Sequence, residues 1–477
     1  MSQDTAWPRL AAPPHPAVPD LRGLPVIVFG MGASGLAAAR VLCHRGAAVT
    51  ICDTRSADAL GPRLDQARAL GAEVRLGLPG PGEAGRYELG VISPGLRIMD
   101  EPFAQLRTAG LRIIGEVELA YWFCERPIIA VAGTKGKTTT ATLAGDMLRA
   151  SGLNAVVAGN IGQPLADELE AINRADVCVA EVSSFQLQTI EHFRPRVAVL
   201  LNITPDHLDY HADLAEYLAA KRRLFQNQTG DDLAVLNGDD ENALAAANAA
   251  RSRRLLFALG GEPDVGARLR GGRIELRLSQ DEPWEPVCAL SDVPLRGDHN
   301  RLNVMAAALA ACAAGARPGD LATAIRRFRL PPHIRDRVAE VNGVVFVDDT
   351  KATTPAATMA ALAELSGPIV LIAGGVDKGG DYEALAAAAA RRLRGVVLIG
   401  DCAPRLAQAL RRAGGPEGIL APSMETAVET AYELAEPGDT VLLSPACSSF
   451  DMFADATQRG EAFAEAARKL ARRVATA

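Results

Sequence analysis

At 477 residues the chain is too long for a single hydrophobic core, so two to four domains are expected. A net charge of -7 and an isoelectric point near 5.7 exclude a broad nucleic-acid-binding face, though not local basic pockets for phosphates. No apolar run approaches the roughly 18 residues needed to span a bilayer, and the eight cysteines, from Cys43 to Cys447, form no Cys-x-x-Cys pair and no Cys/His cluster.

A soluble, cytoplasmic α/β protein with reduced thiols follows, without zinc, nucleic acid or membrane insertion. Met1 to Asp20 is rich in Ala and Pro and lacks a basic start followed by an apolar core, so it reads as a disordered extension rather than a signal peptide.

The first domain is expected over residues 21–118. Pro25 to Phe29 reads as a strand, followed by Gly30-Met-Gly32-Ala-Ser-Gly35 and an apolar helix. A second strand ends in Asp53, roughly twenty residues further on, which completes a dinucleotide fingerprint. The glycines only permit a diphosphate to approach closely, so the pattern does not select NAD over another nucleotide. A strand from Tyr87 to Ile92 delivers Ser93-Pro94-Gly95 to the same crevice.

The second domain is expected over residues 119–327. Ile128 to Val131 is a short apolar run that breaks into Gly133-Thr-Lys-Gly136-Lys137-Thr138-Thr139 and then a helix to Ala150. Amides at such a turn meet the positive end of the helix dipole, which favours a polyphosphate. Lys137 would reach the terminal phosphates and Thr138 would offer its hydroxyl to Mg²⁺. Gly-Lys-Thr also occurs by chance in surface turns; a strand before it and a helix after it favour phosphate binding. Strand ends further on carry Asn160, Glu181 and Asp206-His207-Leu-Asp209. Thr138, Glu181 and His207 would converge beside the nucleotide.

On the next helix, Ala212 to Phe225, the three-and-four spacing puts Leu214, Tyr217, Leu218, Lys221 and Phe225 on one face, with Arg222 and Arg223 off it. A lysine in an apolar stripe either snorkels from its edge, the favoured reading of Lys221 alone, or is paired or chemically altered. Residues 268–278 read as a polar hairpin around Gly271-Gly272. His299, Asn300 and Asn303 open an alanine-rich helix, where amides cap the helix or read a purine.

The third domain is expected over residues 328–477, again an open parallel sheet. Its strand ends carry Asp348-Asp349-Thr350-Lys351-Ala-Thr353, then Gly374-Gly375-Val-Asp377-Lys378, then Ser444-Pro-Ala-Cys447-Ser448-Ser449-Phe450. The fold class is therefore α/β in three domains: N-terminal Rossmann-like, central P-loop ATPase-like and C-terminal Rossmann-like, each with a mainly parallel sheet.

These motifs, in this order, resemble the Mur ligases, the family that includes folylpolyglutamate synthetase. The shortened phosphate loop, Gly-Asn160-Ile-Gly, Glu181-Val-Ser-Ser-Phe-Gln-Leu, Asp206-His207, Ala220-Lys221, Gly-Asp-His-Asn300 and Asp349-x-Lys351-Ala-Thr353 carry the resemblance across nearly the whole chain from Leu21. Within the family, Gly30-x-Gly32-x-Ser34-Gly35, Lys351-Ala-Thr353 and Leu443-Ser-Pro-Ala-Cys447 resemble the branch that adds glutamate to UDP-N-acetylmuramoyl-L-alanine.

The resemblance implies ATP-driven amide formation through an acyl phosphate, in cytoplasmic peptidoglycan precursor synthesis, with ATP and Mg²⁺ as cofactors. It implies catalytic roles for Lys137, Glu181, His207, Lys221, Asp349 and Lys351. ATP would be held by Gly133, Thr134, Lys135, Gly136, Lys137, Thr138, Thr139, Asn300, Asn303 and Asp349. The UDP-sugar would be held by Ala33, Ser34, Gly35, Asp53, Thr54, Arg55, Ser93, Gly95 and Asn160, and glutamate by Thr353, Lys378, Ser449 and Phe450. Metal contacts would come from Thr138, Glu181, His207 and Lys221, the last as a carbamate. A monomer that closes about a hinge is expected.

Three departures from the family pattern stand out. Lys135 replaces the usual Asn, Ile334 stands where an Arg follows Pro-His, leaving Arg335 or Arg337 to substitute, and Ala456 fills a slot that often holds Phe. The alternatives are a sister ligase adding L-glutamate or another amino acid, an NAD-dependent oxidoreductase built on Gly30–Gly35, and a non-catalytic nucleotide sensor.

Overall fold

The computed structural model describes residues 10–11, 18–160, 163–206, 210–295, 297–329, 332–365, 367–377 and 382–475. It contains three sheets. The first has β1 (Pro25–Phe29), β2 (Ala48–Asp53), β3 (Glu73–Leu76), β4 (Leu89–Ile92) and β5 (Arg112–Gly115), all parallel, in the order β3-β2-β1-β4-β5. Side chains alternate across it as strand geometry requires. Val26 and Val28 enter the core on one face, and Ile27 and Phe29 the core on the other. Burial on both faces explains the nearly continuous apolar run of β1.

The second sheet is built from β6 (Ile128–Ala132), β7 (Ala155–Gly159), β8 (Val177–Glu181), β9 (Val197–Leu200), β10 (Leu233–Asn237), β11 (Arg253–Ala258), β12 (Gly266–Arg270), β13 (Arg273–Arg277) and β14 (Glu285–Ala289). Their order is β14-β13-β12-β11-β10-β9-β6-β8-β7. It is parallel from β7 to β12, and the hairpin β12–β13 with β14 adds an antiparallel edge. Strand β6 therefore lies between β8 and β9, so the turns after all three open on one edge.

The third sheet comprises β15 (Asp336–Val341), β16 (Val344–Asp348), β17 (Ile369–Gly374), β18 (Leu393–Ile399), β19 (Gly418–Leu420) and β20 (Thr440–Leu443), ordered β15-β16-β20-β17-β18-β19. Only β15 is antiparallel to its neighbour. Ile369, Leu371 and Ala373 of β17 belong to one core, and Val370 and Ile372 to the core on the opposite face.

The chain divides into two compact units, 1–328 and 329–477. The first two sheets share a unit, and the helix Glu116–Tyr121 carries the chain from one to the other. No helix among the described residues is long and apolar enough to cross a membrane. Most of the extension expected over residues 1–20 lies outside the described residues, as do His207 and Lys378.

Candidate active site

The turn after β6 runs directly into the helix Lys137–Ala150. Gly136 caps that helix at φ +85°, and a Cβ there would stand 2.3 Å from Asn303 Oδ1. Only glycine fits both constraints. Asn300 and Asn303 are thus buried beneath the loop, and neither caps its own helix. The Lys137 ammonium curls back and donates to Gly133 O at 3.0 Å and Thr134 O at 2.9 Å. Thr138 donates its hydroxyl to Glu181 Oε2 at 2.8 Å, while Asn160 donates its amide to Glu181 Oε1 at 2.7 Å. The ends of β6, β7 and β8 are so joined through one buried carboxylate whose hydrogen-bond partners are neutral.

A residue without an assigned role in the sequence fixes the loop from the other side. Asn202, just past β9, accepts the Thr134 and Lys135 amides at 3.1 and 2.9 Å and donates to Lys135 O at 3.0 Å. Its place immediately after a buried strand was the available signal.

The helix bearing Lys221 is shorter than expected: it spans Leu214–Arg222 and tightens into a single turn, Arg223–Phe225. Lys221 does not snorkel. It is 1% exposed, and its Nζ donates to Gly133 O at 2.8 Å. Snorkelling fails because this face of the helix packs against the phosphate loop and offers no path to water. One turn earlier, Tyr217 Oη lies 2.9 Å from Thr134 Oγ1, so the helix grips successive loop residues with side chains four positions apart. Burial, reinforced by the like charge of Lys137, holds the Lys221 amine well below the usual lysine range, with Asp206 and Glu181 acting the other way. Arg223, off the stripe as expected, donates to Gln188 O at 2.7 Å and also to Ile190 O.

The same face ends in an aromatic group that the sequence did not single out. His211 is buried against Ser184 Oγ at 2.9 Å and stacks on Phe185. Tyr210 packs on Phe185 and donates to Leu96 O at 3.0 Å, next to Ser93-Pro94-Gly95 of the first sheet.

In the first sheet the strand order reverses between β1 and β4, which opens a crevice at their carboxyl ends. A Cβ at Gly35 would fall 1.8 Å from Gly30 O, so the helix opened by Ala33 and Ser34 can approach the turn only because Gly35 has no side chain. Ser93 Oγ is buried there without a partner. Asp53 accepts the Met31 amide at 2.8 Å and pairs with Arg55 at 2.8 Å. Burial would raise its pKa, but Arg55 and the two amides outweigh that and hold it at about 2. Asp53 is therefore a charged anchor for the Gly30–Gly32 turn and for Arg55.

In the unit 329–477, Asp349 follows β16 and is buried, accepting Ser444 Oγ at 3.1 Å and the Arg335 amide at 3.2 Å. Burial raises it to about 7, against the pull of Arg335. Of the two arginines that flank Ile334 on its C-terminal side, Arg335 donates its amide to Asp349, whereas Arg337 pairs with Glu340. Lys351 is exposed and reaches Thr457 Oγ1 at 3.2 Å. Ser449 is buried and Phe450 is 71% exposed beside it. Arg459, fully buried, ties these loops together: it donates to Thr350 Oγ1 and O at 2.9 and 3.0 Å, and to Cys447 O and Ser448 O at 3.2 Å each.

Family models match three consecutive stretches: the N-terminal domain of MurD-like Mur ligases over residues 25–115, the Mur ligase middle domain over 131–311, and the Mur ligase glutamate ligase domain over 334–447. A UDP-N-acetylmuramoylalanine–D-glutamate ligase of Pelotomaculum thermopropionicum is 43% identical over 441 residues, covering 92% of this chain and 96% of the relative. The enzyme of the same name from Acidobacterium capsulatum is 43% identical over 444 residues, covering 93% and 96%. Among solved structures, the UDP-N-acetylmuramate-alanine ligase MurC of Thermotoga maritima aligns with a TM-score of 0.60 at 18% identity, over 94% of this chain and 99% of that one. A pseudomurein peptide ligase type C of Methanothermus fervidus gives 0.57 at 18% identity, over 94% and 100%. At that identity the structures speak for the fold.

Proposed function

The chain belongs to the Mur ligase family, and on that premise we propose that it joins D-glutamate to UDP-N-acetylmuramoyl-L-alanine at the expense of ATP. The activity in the names of both relatives supports this choice of substrates. The observation that carries the reading is the meeting of Lys137, Thr138, Asn160, Glu181 and Lys221 at one sheet edge.

In the reaction, the sugar-nucleotide carboxylate attacks the γ-phosphorus of ATP and ADP leaves. The glutamate amine then attacks the resulting acyl phosphate and phosphate leaves. Such chemistry needs alignment and charge neutralisation more than covalent help. Lys137 would exchange its carbonyl partners for the phosphates, and the amides from Gly133 to Thr139 would cradle them. Thr138 and Glu181 offer hard oxygen donors, and the hydrogen-bond partners of Glu181, Thr138 and Asn160, are neutral, so the pair fits Mg²⁺. Bound there, the ion would neutralise charge on the phosphates. His207 remains the proposed second metal contact.

A neutral amine is the form that adds carbon dioxide, so the burial of Lys221 supports its carbamylation. Asn300, Asn303 and Asp349 are proposed for the adenosine, and Lys351 for the reacting groups. The first-sheet crevice, with the unpartnered Ser93 hydroxyl, is proposed for the UDP moiety together with Ala33, Ser34, Gly35, Asp53, Thr54, Arg55 and Gly95. Thr353, Lys378, Ser449 and Phe450 are proposed for glutamate. The assignment makes 21–118 the sugar-nucleotide domain, 119–327 the ATP domain and 328–477 the amino-acid domain of a cytoplasmic monomer.

The deciding assay measures ADP release with each substrate omitted and with each glutamate enantiomer. Release is expected only with ATP, the sugar nucleotide and D-glutamate together. Full turnover without the sugar nucleotide would remove the proposal, and a preference for L-glutamate would move the chain to a sister activity.

A further inference from the structure

The sugar-nucleotide crevice and the phosphate loop lie on different sheets, and both belong to the compact unit 1–328. A substrate whose nucleotide rests in the crevice must bring its carboxylate to the loop, so the reaction needs a fixed span between the two. One run of contacts bridges that span.

On the crevice side, the turn Ser93–Leu96 closes with the Leu96 amide donating to Ser93 O at 3.0 Å. The turn seats on Gly30: a Cβ there would stand 2.8 Å from Ser93 Oγ and 3.6 Å from Leu96 Cδ1. The Tyr210 hydroxyl donates to Leu96 O at 3.0 Å. Burial raises this phenol to about 12, so it keeps the proton that it donates. Arg97 lies 5.7 Å from the centre of the Tyr210 ring, within reach of a cation–π attraction.

From Tyr210 the contacts continue to the loop. Its ring lies 4.0 Å from that of Phe185, on the short helix Ser184–Leu187 just past Glu181. His211 stacks on Phe185 at 5.6 Å, lies 2.9 Å from Ser184 Oγ through Nε2, and meets the Tyr217 ring at 5.3 Å. Tyr217 Oη then reaches Thr134 Oγ1 at 2.9 Å, inside the phosphate loop. His211 and Tyr217 are each 1% exposed, so close packing denies the rings other rotamers. Other ties between the two sheets, Arg40 with Asp167 and Arg112 with Glu191, join residues outside the crevice turn and the loop.

We propose that Tyr210 is a positioning residue whose hydroxyl holds the crevice turn at a set distance from the phosphate loop, so that a sugar nucleotide bound in the crevice presents its carboxylate in line with the γ-phosphate. The role rests on the reading of the two sites given above. Tyr210 acts through Leu96 on one side and through Phe185, His211 and Tyr217 on the other. A misplacement of about 1 Å at the reacting atoms costs up to about a hundredfold in rate. Binding of either nucleotide by itself needs no fixed span. Loss of the hydroxyl therefore lowers kcat without lowering the separate affinities.

The test compares the full-length protein with Tyr210→Phe, which keeps the ring and removes the bond to Leu96. Calorimetry with UDP alone and with ADP alone reads each site, and steady-state kinetics with UDP-N-acetylmuramoyl-L-alanine, ATP and D-glutamate read their alignment. Affinities for UDP and ADP are expected within about twofold of wild type, with kcat lower by about tenfold or more. Tyr217→Phe, at the far end of the stack, should lower kcat likewise. The double variant should lose about as much as the worse single change, because either cut frees the same span. A Tyr210→Phe kcat within about twofold of wild type, or a loss confined to UDP affinity and KM, overturns the inference. A double loss equal to the product of the single losses does so too. Failure of the wild-type protein to bind UDP or to turn over these substrates removes the reading of the two sites, and the inference with it, before any variant is compared.

Discussion

Two buried ionisable side chains, Lys221 and Glu116, have environments that set what they can do. Lys221 is enclosed by the phosphate loop and Tyr217, and its amine holds the Gly133 carbonyl. Lys221→Ala is expected to lose about a hundredfold or more in kcat and to recover part of it with added formate or acetate, which can stand in for the carbamate. Unimpaired turnover of the variant would reduce Lys221 to a packing residue. Glu116 is different. Its Oε1 accepts the Ala166 amide at 2.6 Å, but Oε2 has no partner, and burial raises the carboxyl from 4.5 to about 7, with Asp167 adding to the effect. The folded state thus binds a proton that the unfolded chain has released above about 4.5. Stability must fall as pH rises from that value to about 7, by roughly 3 kcal/mol. Glu116→Gln keeps an acceptor for Ala166 and should flatten that segment of the stability–pH curve in urea titrations; an unaltered slope would contradict the assignment.

At the level of elements, function depends on strand exits that are held together by side chains from distant positions. Asn202 and Tyr217 brace the phosphate loop, and Arg459 does the same for the exits of β16 and β20. Arg459→Ala would leave the carbonyls of Thr350 and Cys447 without this donor in a buried space, while Ser448 O would keep the Val376 amide. The expected loss is on the order of 3–5 kcal/mol, since each buried orphan costs about 1–3 kcal/mol. Chemical denaturation of the variant measures this directly, and a loss below about 1 kcal/mol would mean that water or a rearranged loop replaces the guanidinium. The elements hardest to read from sequence were the peripheral strands. β3, β5, β15 and β19 are short or carry charged residues, and β19 is only Gly418–Leu420. Strands at a sheet's margin have one neighbour; β3, β15 and β19 are little buried and β5 has only two apolar side chains, so no long apolar run marks them.

For the whole molecule, the unit 329–477 covers both faces of its own sheet with separate cores, one around Leu371 and Leu398 and the other around Phe346 and Phe463. Expressed alone, that segment should unfold cooperatively with its own thermal midpoint by circular dichroism. A broad, non-cooperative melt would show that it needs the rest of the chain. The first two sheets, by contrast, are tied within one unit. Arg40 pairs with Asp167, Arg112 with Glu191, and Glu118 accepts the Glu191, His192 and Phe193 amides at 2.8–2.9 Å.

The sequence by itself determined the central strands, the glycine turns and the succession of Lys137, Glu181 and Lys221, because buried parallel strands write apolar runs and their exits write polar residues at fixed offsets. It also named Arg335 and Arg337 as candidates without choosing between them. Tertiary structure alone set Arg335 beside Asp349 and Arg337 beside Glu340, and decided the full burial of Lys221 and the bracing roles of Asn202, Tyr217 and Arg459. Each of these depends on which side chains face each other across separate strands, and that is fixed by sheet order and by glycines that allow close approach, not by any local pattern along the chain.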